Sequence, residues 1–318
     1  MKALLPRIFG HPALRDQPPV LVDVGASGAL PPQWKAIAPY AVAVAFDADT
    51  RDFAVSESTN AGYRKLYSVN RLLAARGAEA LDFYLARSPH CSSSLRPDGA
   101  ALAPWAFSPL FEVEKVVRMP ASSLPEALAA VGISQVDWYK TDSQGTDLRI
   151  FDALAAGTIA QVLVAEFEPG IIDAYVGEDK LHALMAYMDR KPFWVTGMNI
   201  KGSHRIAKED LAQLGEVQRR DLGSFLKTAP GWCEIAYINT FAGPGLGLRE
   251  HLLGWVFASI KGEHGFALHV AQRGRREFGD VLFEQLAEAS RKSLARGYLK
   301  VAGTAFRRLA QLARGAFQ

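Results

Sequence analysis

Cysteine is nearly absent. The 318-residue chain carries only Cys91 and Cys233, far apart and in no metal-ligand spacing. That excludes a disulfide framework and a zinc-type site, and it fits free thiols in a reducing compartment. Long apolar runs are missing as well. The longest late one, Leu252 to Ile260, falls far short of the roughly 20 residues that span a bilayer. Residues Met1 to Arg7 lack the apolar stretch and small-residue cleavage site of a signal peptide, so a cytoplasmic protein is expected. A dominant charge is also wanting: the formal net charge of +3 is too small to argue for nucleic acid. No histidine completes a carboxylate set for a divalent ion, so no metal is expected.

What the chain does have is an ordinary globular content, 49% hydrophobic and 22% charged, enough to bury a sizeable core. Residues 1 to 19 carry Pro6, Pro12, Pro18 and Pro19 and read as an irregular entry arm. Buried strands are expected at Val20–Val24, at Ala41–Phe46 and at Gln161–Phe167, since short apolar runs bounded by turn residues suit a parallel sheet covered on both faces. Further strands are expected at Lys65–Asn70, Val136–Tyr139, Phe193–Thr196 and Cys233–Phe241, with Leu81–Leu85 as a hairpin arm. Helices fall between them: Pro31 and Pro32 suit the first turn of one ending near Ile37, and others cover Ser123–Val131, Leu148–Ala156 and Asp179–Met188. The alternation predicts an α/β fold, a doubly wound, mostly parallel seven-stranded sheet over residues 20–245. Residues 246–318 read as a helical C-terminal appendage.

The first strand runs into Asp23-Val24-Gly25-Ala26-Ser27-Gly28, and the second closes on Asp47, 24 residues after Asp23. A glycine turn after a buried strand lets a ligand approach the backbone, and an acid at that distance meets the hydroxyls of a ribose. The residues thus predict a nucleoside site. The third glycine of the dehydrogenase fingerprint is absent, which disfavours a nicotinamide cofactor.

These blocks resemble the FkbM family of S-adenosylmethionine-dependent methyltransferases over roughly residues 20 to 200. The resemblance rests on the Asp23–Gly28 loop, on Ala45-Phe46-Asp47-Ala48-Asp49, on Ser92-Ser93-Ser94-Leu95, on Val136 to Leu148 with its Lys140, Asp142, Gly145 and Asp147, and on Glu166-Phe167-Glu168. Gln144 stands where the family block more often has glutamate. The resemblance implies a class I methyltransferase fold, S-adenosylmethionine as cofactor, and O-methylation of a sugar, glycan or other small hydroxylated metabolite. It implies Asp23, Gly25, Ala26, Ser27, Gly28, Asp47, Asn70 and Ser93 as cofactor-binding residues, and Lys140, Asp142 and Glu166 as catalytic ones. On a strand, Lys140 and Asp142 would share a face at its carboxyl end, as would Glu166 and Glu168 on the next, and the mutual charge and burial of four such groups shift a base toward neutrality. Two other classes stay open, a non-catalytic binding protein of the same fold and a nicotinamide-dependent oxidoreductase. His90, His204 and the Trp105 loop are candidates for the acceptor side.

After Glu288 there are no acids, while Arg291, Lys292, Arg296, Lys300, Arg307, Arg308 and Arg314 supply seven positive charges. Leu299, Ala302, Phe306, Leu309 and Ala313 recur at helical steps, so one face is apolar and the other cationic. Such a helix suits peripheral contact with an anionic membrane, at its inner face for a cytoplasmic protein.

Overall fold

The computed structural model describes all residues except 28, 52–54, 56, 58–61 and 316–318, with side chains placed up to residue 298. Two units are resolved, residues 18–244 and residues 1–17 with 245–318.

The larger unit is built on strands β1 (Val20–Val24), β2 (Val42–Asp47), β3 (Lys65–Asn70), β4 (Leu72–Leu73), β5 (Ala78–Ala86), β6 (Val113–Ser122), β7 (Trp138–Thr141), β8 (Val164–Phe167), β9 (Phe193–His204) and β10 (Thr228–Asn239). Seven of them form one sheet in the order β3-β2-β1-β7-β8-β10-β9. Every pairing from β3 to β8 is parallel, and β10 runs antiparallel to both β8 and β9. This is the mostly parallel seven-stranded α/β sheet that the strand spacing predicts. The order reverses beside β1, whose two neighbours are β2 and β7, and a crevice at the carboxyl ends there is the usual ligand position of such sheets.

Strand parity decides what each face carries. Val20, Val22 and Val24 join Val44, Phe46, Tyr139, Phe151 and Phe167 in the main apolar core. Each such side chain contributes about 1.5–3 kcal/mol on burial. The residues between them, Asp23 on β1 and Lys140 on β7, turn to the opposite face, where Trp34 and Trp138 meet edge to face at 6.1 Å.

Several local expectations are refined. The proline-led segment folds as a 3-10 turn, Pro32–Ala36, not an α-helix. The single helix expected at Leu148–Ala156 is two, Asp147–Asp152 and Ala156–Gln161. The Leu81–Leu85 arm lies within β5, which pairs with β6 in a separate three-stranded sheet, β4-β6-β5. The helix at Leu124–Ala130 starts on a capping box in which Ser123 and Glu126 exchange hydrogen bonds.

The smaller unit is helical. Residues 1–17, expected as an irregular arm, contain short helices at Leu5–Gly10 and Pro12–Arg15, with Pro6 and Pro12 in the first turns where no N–H is needed. Helices Leu248–Ile260, His264–Phe278 and Leu282–Gly315 complete it. The last two cross closely at Gly274, where a Cβ would lie 2.5 Å from the Phe283 ring. Among the described residues no helix is long and apolar enough to cross a membrane.

Candidate functional site

Gly25 has φ +77° and follows β1 directly. Its N–H and that of Ala26 both donate to the Phe46 carbonyl, at 2.9 and 3.0 Å. A Cβ on Gly25 would sit 2.1 Å from the Asp142 carbonyl oxygen. The glycine therefore serves to bring the end of β1 against the end of β7, and its missing side chain is filled by protein backbone. The N–H groups of Gly25 and Ala26 are thus taken by the sheet, although Gly25 and Ser27 still line a cleft. Ala26 is buried, and Gly28 lies outside the described residues.

The turn after β7 is the most constrained part of the region. Thr141 Oγ1, Ser143 N–H and Ser143 Oγ all donate to Asp147 Oδ1, at 2.8, 3.0 and 3.2 Å. Asp147 opens the next helix, so three bonds tie the turn to a helix start. Gln144 and Gly145 take φ 56° and 98°, conformations that cost a non-glycine residue energy and are held here by their neighbours. Ser93 Oγ donates to the Gln144 carbonyl at 2.7 Å, and the Tyr175 hydroxyl donates to Gln144 Oε1 at 2.8 Å. The Gln144 amide donates to Asp142. The turn thus presents Asp142 and Gln144 outward from the sheet edge.

Two cavities meet on that turn. One is a narrow cleft of about 70 Å³, lined by Gly25, Ser27 and Asp47 together with the apolar Phe46, Leu73 and Ile150. The other is wider, about 410 Å³, with Phe107, Phe111, Tyr175 and Trp232 on one side and Glu168 and Glu178 among its polar lining. Asp142, Gln144 and His90 line both. His90 Nδ1 lies 3.2 Å from Ser27 Oγ.

Within the cleft, Asp47 ends β2 and accepts from the Asp49 N–H at 2.8 Å. Burial lifts its carboxyl to about 6, against the Asp49 hydrogen bond. Arg51 pairs with Asp49 at 2.6 Å and donates to Ser92 Oγ at 2.8 Å, joining the end of β2 to the serine segment. Asn70 Nδ2 donates to the Asp47 carbonyl at 2.8 Å; it steadies Asp47 and does not line the cleft. Ser93 is likewise a positioning residue, while its neighbours Ser92 and Ser94 line the cleft.

Asp23, Lys140 and Glu166 come together elsewhere. They stand side by side on β1, β7 and β8 and line neither cavity. Lys140 Nζ lies 3.3 Å from Asp23 Oδ1, and Asp23 is 2% exposed. Burial raises Asp23 to about 6 although Lys140 opposes it. Burial works against the Lys140 charge, but Asp23, Asp142 and Glu168 outweigh it and hold the ammonium well above its usual range. Lys140 thus stays charged and does not become the neutral base of this group of residues. Glu166 accepts from Trp138 Nε1 at 3.1 Å and Gln33 Nε2 at 3.4 Å. The row is a structural ion array on the face opposite the main core.

Asp142 is held above the ordinary carboxylate range by burial, with Lys140 and the Gln144 amide pulling the other way. Glu168 is pushed up to about 9 by burial and by the Asp142 charge.

Sequence reasoning did not identify Gln144, Tyr175, Glu178, Trp232 or Phe111 as site residues, and of the Ala103–Phe107 loop it offered for the acceptor side, Phe107 rather than Trp105 lines the wider cavity. Trp232 follows a register shift in the β9–β10 pairing between Pro230 and Trp232, and such bulges re-aim side chains. Trp105 is buried, beneath Arg205, and the His204 ring approaches the Lys227 carbonyl at 3.3 Å; neither lines the two cavities. Among the described residues, no group of three or more His, Cys, Asp or Glu side chains is placed to hold a metal ion. No protein-family model matches the chain, and no curated protein matches it.

Proposed function

We propose that the protein is an S-adenosylmethionine-dependent methyltransferase acting on a hydroxyl group of a sugar, glycan or other small hydroxylated metabolite. The observation that carries this is the meeting of the Asp47 cleft and the aromatic-walled cavity on one turn, at Asp142, Gln144 and His90. Group transfer needs two ligands held with reacting atoms adjacent, and two cavities sharing three residues at a sheet switch point meet that need. The resemblance of Asp23–Gly28, Asp47 and the 136–148 block to the FkbM family supports S-adenosylmethionine as the cofactor.

The residues present fit that cofactor. Asp47 offers a carboxylate to the ribose diol, Phe46, Leu73 and Ile150 offer an apolar bed to the base, and Asp142 offers a second carboxylate to the cationic end. Bound there, S-adenosylmethionine would supply an electrophilic methyl group. The chain's own part is placement and proton handling. Asp142, at the junction, is the group that takes the acceptor hydroxyl's proton as the oxygen–methyl bond forms, which neutralises its carboxylate and relieves its repulsion of Glu168. Lys140 and Asp23 lie behind the turn and fix its electrostatics; Glu166 has a positioning role.

The test is calorimetry of the full chain with S-adenosylmethionine against NAD, followed by assay of S-adenosylhomocysteine formation with a panel of hydroxylated acceptors. Binding of S-adenosylmethionine that Asp47→Ala weakens by about tenfold or more is the expected result, from the loss of a charge-assisted hydrogen-bonding group. Preference for NAD would overturn the reading in favour of an oxidoreductase. Binding without turnover would leave a non-catalytic binding protein.

A further inference from the structure

The wider cavity has a chemistry of its own. Its wall is a chain of rings: Trp232 and Phe107 lie 6.3 Å apart and tilted by 33°, Phe107 meets Phe111 edge-on at 5.2 Å, and Phe111 meets Tyr175 at 5.6 Å. Phe111 and Tyr175 are buried, whereas Phe107 and Trp232 are only half-buried and keep ring surface open to the cavity. Opposite chemistry comes from three carboxyls, Asp142, Glu168 and Glu178.

Their charges are accounted for within the fold. Glu178 pairs with Lys180 at 3.2 Å and accepts the Ala174 N–H at 2.8 Å. Asp142 takes the Gln144 amide and feels the Lys140 charge. Glu168 has neither a hydrogen bond nor an ion pair among the described residues, and with its carboxyl near 9 it is protonated at neutral pH. It therefore has both a donor and an acceptor to offer. No lysine or arginine lines the cavity. A phosphate or carboxylate brought in would meet three carboxyls on a lining without lysine or arginine, while an ammonium would find the Glu178 carboxyl already engaged by Lys180.

We propose that this cavity takes an uncharged hydroxylated ring, its apolar face against Trp232 and Phe107 and its hydroxyls on the Glu168 carboxyl, and that it rejects anionic ligands. Naming that ring the methyl acceptor rests on the function proposed above; the selectivity for an uncharged ring does not.

The experiment is calorimetric titration of the full chain, without cofactor and at neutral pH, with three matched probes: phenyl β-D-glucoside, its 6-carboxylate (the glucuronide) and its 6-amino-6-deoxy analogue. The neutral glucoside is expected to bind tightest, at least about tenfold tighter than the glucuronide, because opposed like charges are strongly disfavoured in a desolvated site. Trp232→Ala is expected to weaken the neutral probe by about tenfold, from lost ring stacking, and Trp232→Phe to retain most of it. Glu168→Gln, which keeps a neutral donor and acceptor, is expected to stay within about threefold of the parent, and Glu168→Ala to lose more. Circular dichroism and urea midpoints check that each variant folds. Glucuronide or amine binding as tight as the glucoside overturns the proposal. So does absence of glucoside binding at millimolar concentration, or binding indifferent to both Trp232 variants. A chain that binds the glucoside yet forms no S-adenosylhomocysteine retains this inference and loses the methyl-transfer reading.

Discussion

Replacing Gly25 by alanine tests the contact that joins the two halves of the site. The residue sits at φ +77°, a left-handed conformation that costs a side-chain-bearing residue roughly 1–2 kcal/mol. A second penalty follows from space, since the new Cβ would begin 2.1 Å from the Asp142 carbonyl oxygen. Relief requires the β1 loop and the Asp142 turn to part by about 1 Å, a displacement that in well-placed sites costs on the order of 100-fold in turnover. Gly132 provides the control, with φ +73° but nothing within 4 Å of an added Cβ. Gly132→Ala should therefore lose only the conformational part, about 1–2 kcal/mol. Gly25→Ala should lose at least about 1 kcal/mol more, because an interior contact cannot relax freely. Urea unfolding of both variants measures the difference, and calorimetry with S-adenosylmethionine, the proposed cofactor, measures its effect on binding. Equal unfolding free energies for the two, with unchanged cofactor binding by Gly25→Ala, would refute the packing role assigned to this glycine.

Removing Lys140 as Lys140→Met leaves the buried Asp23 without its cation and should destabilise the fold by about 3–5 kcal/mol, read by thermal unfolding; adding Asp23→Asn should recover most of that loss. Glu168 is raised to about 9 in the folded chain from about 4.3 unfolded, so the folded state binds the extra proton and Glu168 costs stability progressively as pH rises through that window. Glu168→Gln should accordingly gain on the parent by more than about 1 kcal/mol between pH 6 and pH 8; a difference independent of pH in urea titrations would contradict the assigned burial. The basic segment after Glu288 should carry the full chain upward with phosphatidylglycerol-rich vesicles in a flotation gradient, and a chain ending at Ser290 should stay behind. Equal flotation of both forms would remove the membrane role.

The sheet was legible because β1, β2 and β8 are short apolar runs closed by turn or acidic residues, a pattern that survives without any tertiary information. Asp47 was legible for the same reason: it ends a strand, and strand ends at a switch point face ligands. Asp23 and Lys140 misled because a strand buried on both faces hides its parity. Only the packing of Val22 and Val24 into the core shows that Asp23 must point the other way. The rule that residues two apart share a face also stops at Thr141, where β7 ends, so Asp142 escapes the face that holds Lys140. Of the aromatic wall, the sequence pointed only to the Trp105 loop, which reaches Phe107. Phe107 and Phe111 share one stretch, Tyr175 and Trp232 come from two others, and a bulge aims the last of them.

The turn carrying Asp142 and Gln144 belongs to both cavities and is braced by Ser93, Tyr175 and Asp147. A support shared in this way makes the two occupants thermodynamic partners. Whatever factor a ligand in the Asp47 cleft applies to the affinity of the aromatic cavity, the aromatic cavity's ligand must return to the cleft unchanged, because linkage between binding sites is reciprocal. The mutual factor then depends on one four-residue bend, and a variant of Ser93, which lines neither cavity but holds the Gln144 carbonyl, should alter it.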